Sequence, residues 1–260
     1  MKIYIFGSCS GTEPFLGRHH TSWALESGGR IYWFDAGEGC AHTAHLMGVD
    51  LLSVSDIFIS HSHMDHIGGL PHLLWTIRKL NVRTGLLPKF GDISVYTSNA
   101  ECFDGVMTML KKSEGKYSSP YEILCKSVAD GELLSAEGVS VRAKHNLHMK
   151  PNEDGYQSFS FVIDVEGKRL IYTGDMASLD ELEEVVADGC DILMTETGHH
   201  SSVKICELIK NRGIGQVYFL HHGREIMQNF DEMLQKCREI MPNVTFCNDK
   251  DVFEFDDARN

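Results

Sequence analysis

The chain has 260 residues, with 24 Lys and Arg against 37 Asp and Glu, a net charge of −13, and 42% hydrophobic residues. Its length excludes a small disulfide-stapled scaffold, and its longest apolar runs are too short for a membrane helix. The excess of acidic residues argues against a broad basic surface that binds long nucleic acids. It is still compatible with binding of a small anionic ligand that a metal steers. Eight cysteines without a CxxC pair, and no apolar secretory signal at the start, predict reduced thiols in a cytoplasmic protein.

Apolar runs bounded by Gly, Ser or Asp predict strands through the first third of the chain: Lys2–Phe6, Ser22–Glu26, Ile31–Phe34 and Asp56–Ile59. An apolar helical pattern follows His66 and continues to Leu80. The middle of the chain predicts a strand at 93–96, a helix at about 99–112, and strands near 121–125 and 139–143. No stretch has the composition of a linker, so we expect a single domain over residues 1–260.

The last third begins with a predicted hairpin, 159–165 and 169–173, around the turn Glu166-Gly167. Helices and strands then alternate: 179–187, 192–195, 203–212, 217–220 and a final helix from Glu225. Strands first and mixed elements after predict an α/β (α+β) protein, a four-layer αββα sandwich. Its two mixed β-sheets would pack face to face, with helices on both outer faces.

A histidine cluster directly follows the apolar strand Ile57-Phe58-Ile59: His61-Ser62-His63-Met64-Asp65-His66. At this chain's own His and Asp frequencies, chance would produce the spacing HxHxDH far less than once. Residues two positions apart on a strand lie on the same face, so His61 and His63 can converge on one ion. The turn that follows brings Asp65 and His66 toward a second ion. Imidazole and carboxylate ligands without thiolate suit Zn(II), with Mn(II) or Fe(II) as substitutes.

This motif resembles the hallmark of the metallo-β-lactamase fold superfamily, a strand followed by HxHxDH, and the resemblance extends over nearly the whole chain. The later ligands of that superfamily are a further histidine, an aspartate at the end of a hairpin and a histidine after a late strand. The resemblance implies two divalent metal ions and seven ligands: His61, His63 and His148 on one ion, Asp65, His66 and His221 on the other, and Asp175 as a bridge.

Two of these ligands have a competing neighbour. The third-ligand segment Lys144-His145-Asn146-Leu147-His148 offers His145 as well as His148, and the pattern Asn, any residue, His favours His148. His222 competes with His221, which directly follows the predicted strand as the last ligand of the superfamily does. Both alternatives stay open at this point.

The amino-terminal segments resemble the ribonuclease Z and phosphodiesterase branch of the superfamily: Gly11-Thr12-Glu13-Pro14 with Arg18 and Ser22, then Phe34-Asp35-Ala36-Gly37-Glu38-Gly39. That resemblance implies that Asp35 is a buried support for the metal loops. The segment 195–201 resembles, in compressed form, a Glu and His pair that assists proton delivery to the leaving oxygen. Glu196 and His200 are the corresponding residues.

The implied activity is that of a dinuclear metal-dependent hydrolase, in which Asp65 orients a metal-bridged hydroxide that attacks the substrate. The absence of a Gly- and Pro-rich arm, together with the acidic charge, favours a small phosphodiester or nucleotide as the substrate. The alternatives are a ribonuclease Z-type tRNA 3′ endonuclease, a thioester or lactone hydrolase of the same fold, and a non-catalytic metal-binding regulatory protein. No membrane partner is expected, and a homodimer is compatible with the sequence.

Overall fold

The computed structural model describes residues 1–113, 117–136 and 138–255. It divides the chain into two compact units. Unit 1 comprises Met1–Gly7, His19–Val128 and Asp249–Asn260, and unit 2 comprises Ser8–Arg18 and Ala129–Asn248. The expectation of one domain over residues 1–260 stays a prediction.

Unit 1 contains a mixed seven-stranded sheet in the order β14-β1-β2-β3-β4-β5-β6. Its strands are β1 (Lys2–Gly7), β2 (Ser22–Ser27), β3 (Arg30–Phe34), β4 (Val54–Phe58), β5 (Ile93–Thr97), β6 (Ile123–Ser127) and β14 (Val252–Glu254). Its helices are α1 (Cys40–Leu46), α2 (Met64–Ile67), α3 (Leu70–Thr84) and α4 (Ala100–Ser113), with a 3₁₀ turn at Leu51–Ser53. Strands β3 to β6 are parallel, so their carboxyl ends lie at one edge of the sheet.

The core of unit 1 lies between this sheet and helices α1, α3 and α4. Helix α3 buries Leu70, Leu73, Leu74 and Ile77, the spacing of one helix face. Burial of each such side chain contributes on the order of 1.5–3 kcal/mol, which fixes the helix that follows the histidine motif.

Unit 2 contains the second mixed seven-stranded sheet, in the order β13-β12-β11-β10-β9-β8-β7. Its strands are β7 (Gly131–Ala136), β8 (Val139–Asn146), β9 (Ser158–Val165), β10 (Lys168–Tyr172), β11 (Cys190–Thr197), β12 (Ile214–His222) and β13 (Val244–Phe246). Its helices are α5 (Leu179–Val185), α6 (Ser202–Ile209), α7 (Arg224–Gln228) and α8 (Phe230–Ile240). Its core includes Leu182 of α5, Ile205 and Cys206 of α6, and Met233 and Cys237 of α8.

The strand directions of unit 2 bring four connections to one edge of its sheet. Strands β10, β11 and β12 are parallel, and β8 runs the same way because β9 is antiparallel to both β8 and β10. The carboxyl ends of these four strands therefore share an edge. This edge carries the predicted ligands His148, Asp175 and His221.

The structure adds elements to those that the sequence predicts. Strands β7, β13 and β14 were not predicted, and the expected final helix is interrupted at Asn229, whose backbone has φ −134°. Within the described part of the chain, no helix combines the length and apolarity that a membrane crossing requires. The predicted class is confirmed: two mixed sheets of seven strands each, with helices in both units.

Candidate metal centre

The histidine motif of unit 1 forms the connection between β4 and α2, and its imidazoles converge. The His61 Nε2 and His63 Nδ1 atoms lie 3.0 Å apart, and the ring centroids of His61 and His66 are separated by 4.1 Å. His63 occupies the N-cap of α2, where its carbonyl accepts hydrogen bonds from the amides of His66 and Ile67. His61 and His66 are buried. Three imidazoles this close, two of them buried, are typical of a metal site.

Asp35 supports this motif from the end of β3. Its carboxylate accepts hydrogen bonds from the Ser60 amide at 2.6 Å, the Ser60 hydroxyl at 2.7 Å and the His66 Nδ1 at 2.8 Å. Asp35 is fully buried. A carboxylate at Nδ1 keeps the proton there and leaves the Nε2 lone pair of His66 for a ligand, which is the usual arrangement behind a metal-binding histidine.

Two glycines allow the loop after β3 to pack against the motif. A Cβ atom on Gly37 would lie 2.7 Å from the Asp65 carbonyl oxygen, and one on Gly69 would lie 2.1 Å from the Gly37 carbonyl oxygen. The backbones are also joined by hydrogen bonds from the Ala36 amide to the His66 carbonyl and from the Gly69 amide to the Ala36 carbonyl. The Asp35 loop and the histidine motif are therefore one packed element.

In unit 2, the two predicted histidine ligands converge on one carboxylate oxygen of the third predicted ligand, Asp175. Asp175 Oδ2 lies 3.2 Å from His221 Nε2 and 3.6 Å from His148 Nε2. Asp175 and His221 are buried, and His148 is largely so. His221 has φ 52°, and a Cβ atom on Gly198 would lie 2.5 Å from its Nδ1. The loop after β11 thus approaches the His221 ring so closely that position 198 requires glycine.

The competing histidines have other partners. His145 contacts Asp130 through Nδ1 at 2.6 Å, and its ring stacks on Tyr156 with centroids 3.6 Å apart. His222 lies between the Thr197 hydroxyl at 2.9 Å and the Cys247 carbonyl at 3.0 Å, and burial lowers its pKa to about 3. The choice of His148 and His221 as ligands stays a prediction.

Glu196, at the end of β11, is a buried carboxylate that joins three parts of unit 2. One oxygen accepts from the Met176 amide at 2.8 Å, and the other contacts His199 Nδ1 at 2.7 Å and lies 3.7 Å from His221 Nδ1. Burial opposes ionisation of Glu196, but His199 and His221 outweigh it and hold the pKa of this carboxyl well below its usual range. Hydrogen bonding to Glu196 raises the pKa of His199.

The structure does not bring His200 to Glu196. The His200 Nε2 atom lies 3.0 Å from the Met176 carbonyl, and the neighbouring His199 takes the contact with Glu196. His199 also lies 3.7 Å from Asp175 Oδ2, with its ring centroid 4.8 Å from that of His148. Sequence reasoning missed His199, and the His-His doublet offers no signal for choosing between its members.

The donor chemistry fits a divalent ion. Within unit 2, donor atoms of Asp175, Glu196, His199 and His221 all lie within 4.8 Å of one another. The ligand sets of both units consist of imidazoles and carboxylates without a thiolate. Such donors suit Zn(II), and also Mn(II) or Fe(II).

Comparisons with known proteins agree with this geometry. A family model described as "Anti-Pycsar protein Apyc1" matches residues 1–237. Ribonuclease Z of Shouchella clausii (strain KSM-K16) is 24% identical over 309 aligned residues, with 99% of this chain and 98% of that protein covered. Two solved structures are similar in fold: the metallo-beta-lactamase fold protein YhfI from Bacillus subtilis and the short form of human tRNase Z.

The YhfI structure has a TM-score of 0.74 at 15% identity, covering 97% of this chain and 98% of that one. The tRNase Z structure has a TM-score of 0.72 at 17% identity, covering 98% and 99%. These matches confirm the resemblance to the metallo-β-lactamase superfamily and its ribonuclease Z and phosphodiesterase branch. They also confirm the prediction of a metal-dependent hydrolase.

Proposed function

This chain belongs to the family of the anti-Pycsar protein Apyc1, and we propose that it is a dinuclear phosphodiesterase that acts on a small phosphodiester or nucleotide. The observation that supports the proposal is the proximity of the predicted ligands within each unit. Each unit already gathers its own predicted ligands, with His66 held by a buried carboxylate in unit 1 and His148 and His221 gathered on Asp175 in unit 2.

In this proposal, the seven ligands divide as the superfamily resemblance implies. One ion would be held by His61, His63 and His148, the other by Asp65, His66 and His221, with Asp175 shared. When bound, a pair of divalent ions would supply a water of lowered pKa and neutralise charge on the phosphate oxygens. Zinc is the ion that we expect first, with manganese or iron as substitutes.

The remaining chemistry is assigned to protein groups. Asp65 would orient the attacking water, because a carboxylate at that position can accept its proton. Departure of the alkoxide requires a proton, which we assign to the Glu196 loop. His200 is the donor expected from the sequence, and His199 is the residue that hydrogen-bonds Glu196. Alanine substitution of each histidine in turn decides between them, because only the donor's loss should slow substrates with poor leaving groups selectively.

A small substrate is favoured over tRNA by charge and length. The net charge is −13, whereas binding a long nucleic acid depends on Lys and Arg that neutralise phosphates. The Shouchella ribonuclease Z aligns over 309 positions against a chain of 260 residues, so that relative carries a considerable length of sequence without a counterpart here. A tRNA 3′ endonuclease remains the second candidate because curated relatives bear the name ribonuclease Z.

The deciding experiment is a hydrolysis panel with zinc- and manganese-loaded protein. It contains bis-nitrophenyl phosphate, cyclic nucleotides, precursor tRNA, a glutathione thioester and a lactone. We expect turnover of the simple diester and of at least one small nucleotide. Preference for precursor tRNA would establish the second candidate, and preference for the thioester or lactone would overturn phosphodiester hydrolysis.

A variant tests the catalytic assignment on the same panel. Asp65→Ala should abolish turnover while the circular dichroism spectrum is retained, because it removes both a ligand and the group that orients water. The matched control is His42→Ala, an exposed histidine on α1 that lies outside both ligand sets. Undiminished activity of Asp65→Ala would refute the assignment. A homodimer and a cytoplasmic location stay predictions.

A further inference from the structure

Two of the unit 2 segments that carry predicted ligands, the His148 loop and the Asp175 loop, are both contacted by the side chain of Glu181. Glu181 lies in the first turn of α5, outside the ligand set. Its Oε1 accepts a hydrogen bond from the Leu147 amide at 2.7 Å, and its Oε2 accepts one from the Ala177 amide at 2.8 Å. Leu147 is the residue before His148, and Ala177 is two residues after Asp175.

We propose that Glu181 is a positioning residue for the metal centre, because its two carboxylate oxygens tie the His148 loop to the Asp175 loop. The inference rests on the proposed function, since it requires His148 and Asp175 to bind a metal. Glu181 is not a ligand in this proposal. It acts through the backbone amides that precede one ligand and follow the other.

A second set of hydrogen bonds ties the same loops at their strand ends. The Asn146 side-chain amide donates to the Thr173 carbonyl at 3.4 Å, and the Ser160 hydroxyl donates to the same carbonyl at 2.6 Å. Asn146 Oδ1 also accepts from the His148 amide at 3.2 Å. Both loops are therefore held where they leave the sheet, and Glu181 holds them beyond it. The contacts at the strand ends and those of Glu181 together orient the two ligands, His148 and Asp175. Metal affinity depends on the orientation of the donor atoms.

Helix capping alone does not explain Glu181. A glutamate in the first turn commonly accepts from amides at the start of its own helix, and Oε2 does so with Ala177 and, at 3.3 Å, with Ser178. That role leaves Oε1 unaccounted for. Oε1 accepts from the backbone amide of Leu147, 34 residues earlier at the end of β8. The Leu147 side chain is exposed, so it is the backbone of the ligand loop that Glu181 contacts.

Glu181→Gln separates these two roles. A glutamine has one acceptor oxygen, and the helix start presents two amide donors where the His148 loop presents one. The oxygen should therefore face Ala177 and Ser178, and the NH₂ group should face the Leu147 amide, which is a donor itself. The variant keeps the cap and loses the tie to the ligand loop.

The experiment measures zinc affinity by competition with a chromophoric chelator. The samples are the full chain, Glu181→Gln and the control Glu184→Gln. Glu184 lies on the same helix, is exposed and pairs with the Lys144 side chain on β8 at 2.8 Å, rather than with a backbone amide of a ligand loop. We expect Glu181→Gln to weaken the affinity for zinc at one site by about tenfold, the low end of what loss of a supporting group costs, and Glu184→Gln to leave it unchanged.

The Tm of the metal-free proteins provides the second readout. We expect Glu181→Gln and the wild type to melt at similar temperatures without metal, because the cap persists. Wild-type zinc affinity in Glu181→Gln would overturn the inference while leaving the proposed function intact, and so would an equal loss in Glu184→Gln. A wild-type protein that takes up no zinc or manganese would overturn the proposed function, and the inference with it.

Discussion

Replacement of Asp35 tests how far a buried carboxylate stabilises unit 1 and its imidazoles. Asp35 accepts three hydrogen bonds, two from Ser60 and one from His66 Nδ1, and has φ 51°. Asparagine has nearly the same shape and tolerates this left-handed backbone conformation well. Its oxygen can still accept from the Ser60 amide, but its NH₂ group faces the Nδ1–H of His66.

The expected cost follows from the bond that is lost. A hydrogen bond to a charged group contributes about 1.5–3 kcal/mol, and the abandoned donor stays buried. We therefore expect Asp35→Asn to lower the free energy of unfolding by about 2–3 kcal/mol. Asp35→Ala leaves all three donors without the carboxylate and adds a left-handed backbone penalty of about 1 kcal/mol, so its cost should reach about 4–5 kcal/mol.

Urea denaturation of the metal-free variants measures these costs, and chelator competition measures the affinity for zinc. Asp35→Asn should weaken zinc binding by about 10- to 100-fold, because His66 loses the group that fixes its tautomer. Asp50→Asn is the matched control in the same unit, at the exposed N-cap of the 3₁₀ turn, and should cost less than about 1 kcal/mol without changing zinc binding. An Asp35→Asn variant as stable as the wild type, with the same zinc affinity, would refute this account of Asp35.

Two further predictions concern unit 1 away from the ligands. Burial raises the pKa of Asp56, against the opposing effects of Ser55, Arg30 and Tyr96. The protonated carboxyl therefore favours folding below about pH 4, and this contribution to stability is lost as pH rises through the pKa of the folded state. Asp56→Asn should therefore gain stability over the wild type as pH increases from 4 to 7 in urea titrations, and a constant difference would contradict this sign. Phe58→Ala should lose about 3–5 kcal/mol by the same measurement, because Phe58 is fully buried between the rings of Phe34 and Tyr96, and Phe58→Leu should lose less than half as much; equal losses would argue against a cavity effect.

Much of the fold is predictable because its strands are short apolar runs with clear boundaries. Strands β1 to β6 and β8 to β12 all overlap predicted segments. Two of the three missed strands lack that signal: β13 and β14 have three residues each, and none of the three in β14 is buried. They are recognised as strands only through their pairing with β1 and β12. Short edge strands depend on a partner that is distant in sequence, so local pattern cannot identify them.

The final helix shows the limit of periodicity. The apolar spacing continues from Ile226 through Phe230 to Met233, as one helix face would, but the backbone breaks at Asn229. The Asn229 amide closes α7 by donating to the Glu225 and Ile226 carbonyls, and α8 begins at the next residue. Two consecutive helices can keep one buried stripe, so a continuous hydrophobic pattern does not exclude a break between them.

The candidate site divides in the same way between local and distant information. The motif from His61 to His66 is a local signal, because its spacing brings imidazoles together in the loop after β4 and the first turn of α2. The contact between Glu196 and His199 spans only three residues, but His199 and His200 are adjacent and of the same type, so the segment does not indicate which of them faces the carboxylate. The approach of His148 and His221 to Asp175 is the distant part, because it depends on β8, β10 and β12 ending at one edge of the sheet.

Carboxylates at strand ends and first helical turns connect these observations. An imidazole can bind a metal through one nitrogen only while that nitrogen is deprotonated, and a carboxylate on the other nitrogen holds the proton there. Asp35 stands in that relation to His66, and Glu196 lies near His221 Nδ1. Glu181 orients ligand backbone instead. Because parallel strands end at one edge of each sheet, acids that are far apart in sequence reach the same ligands, and the fold supplies both the ligands and the groups that orient them.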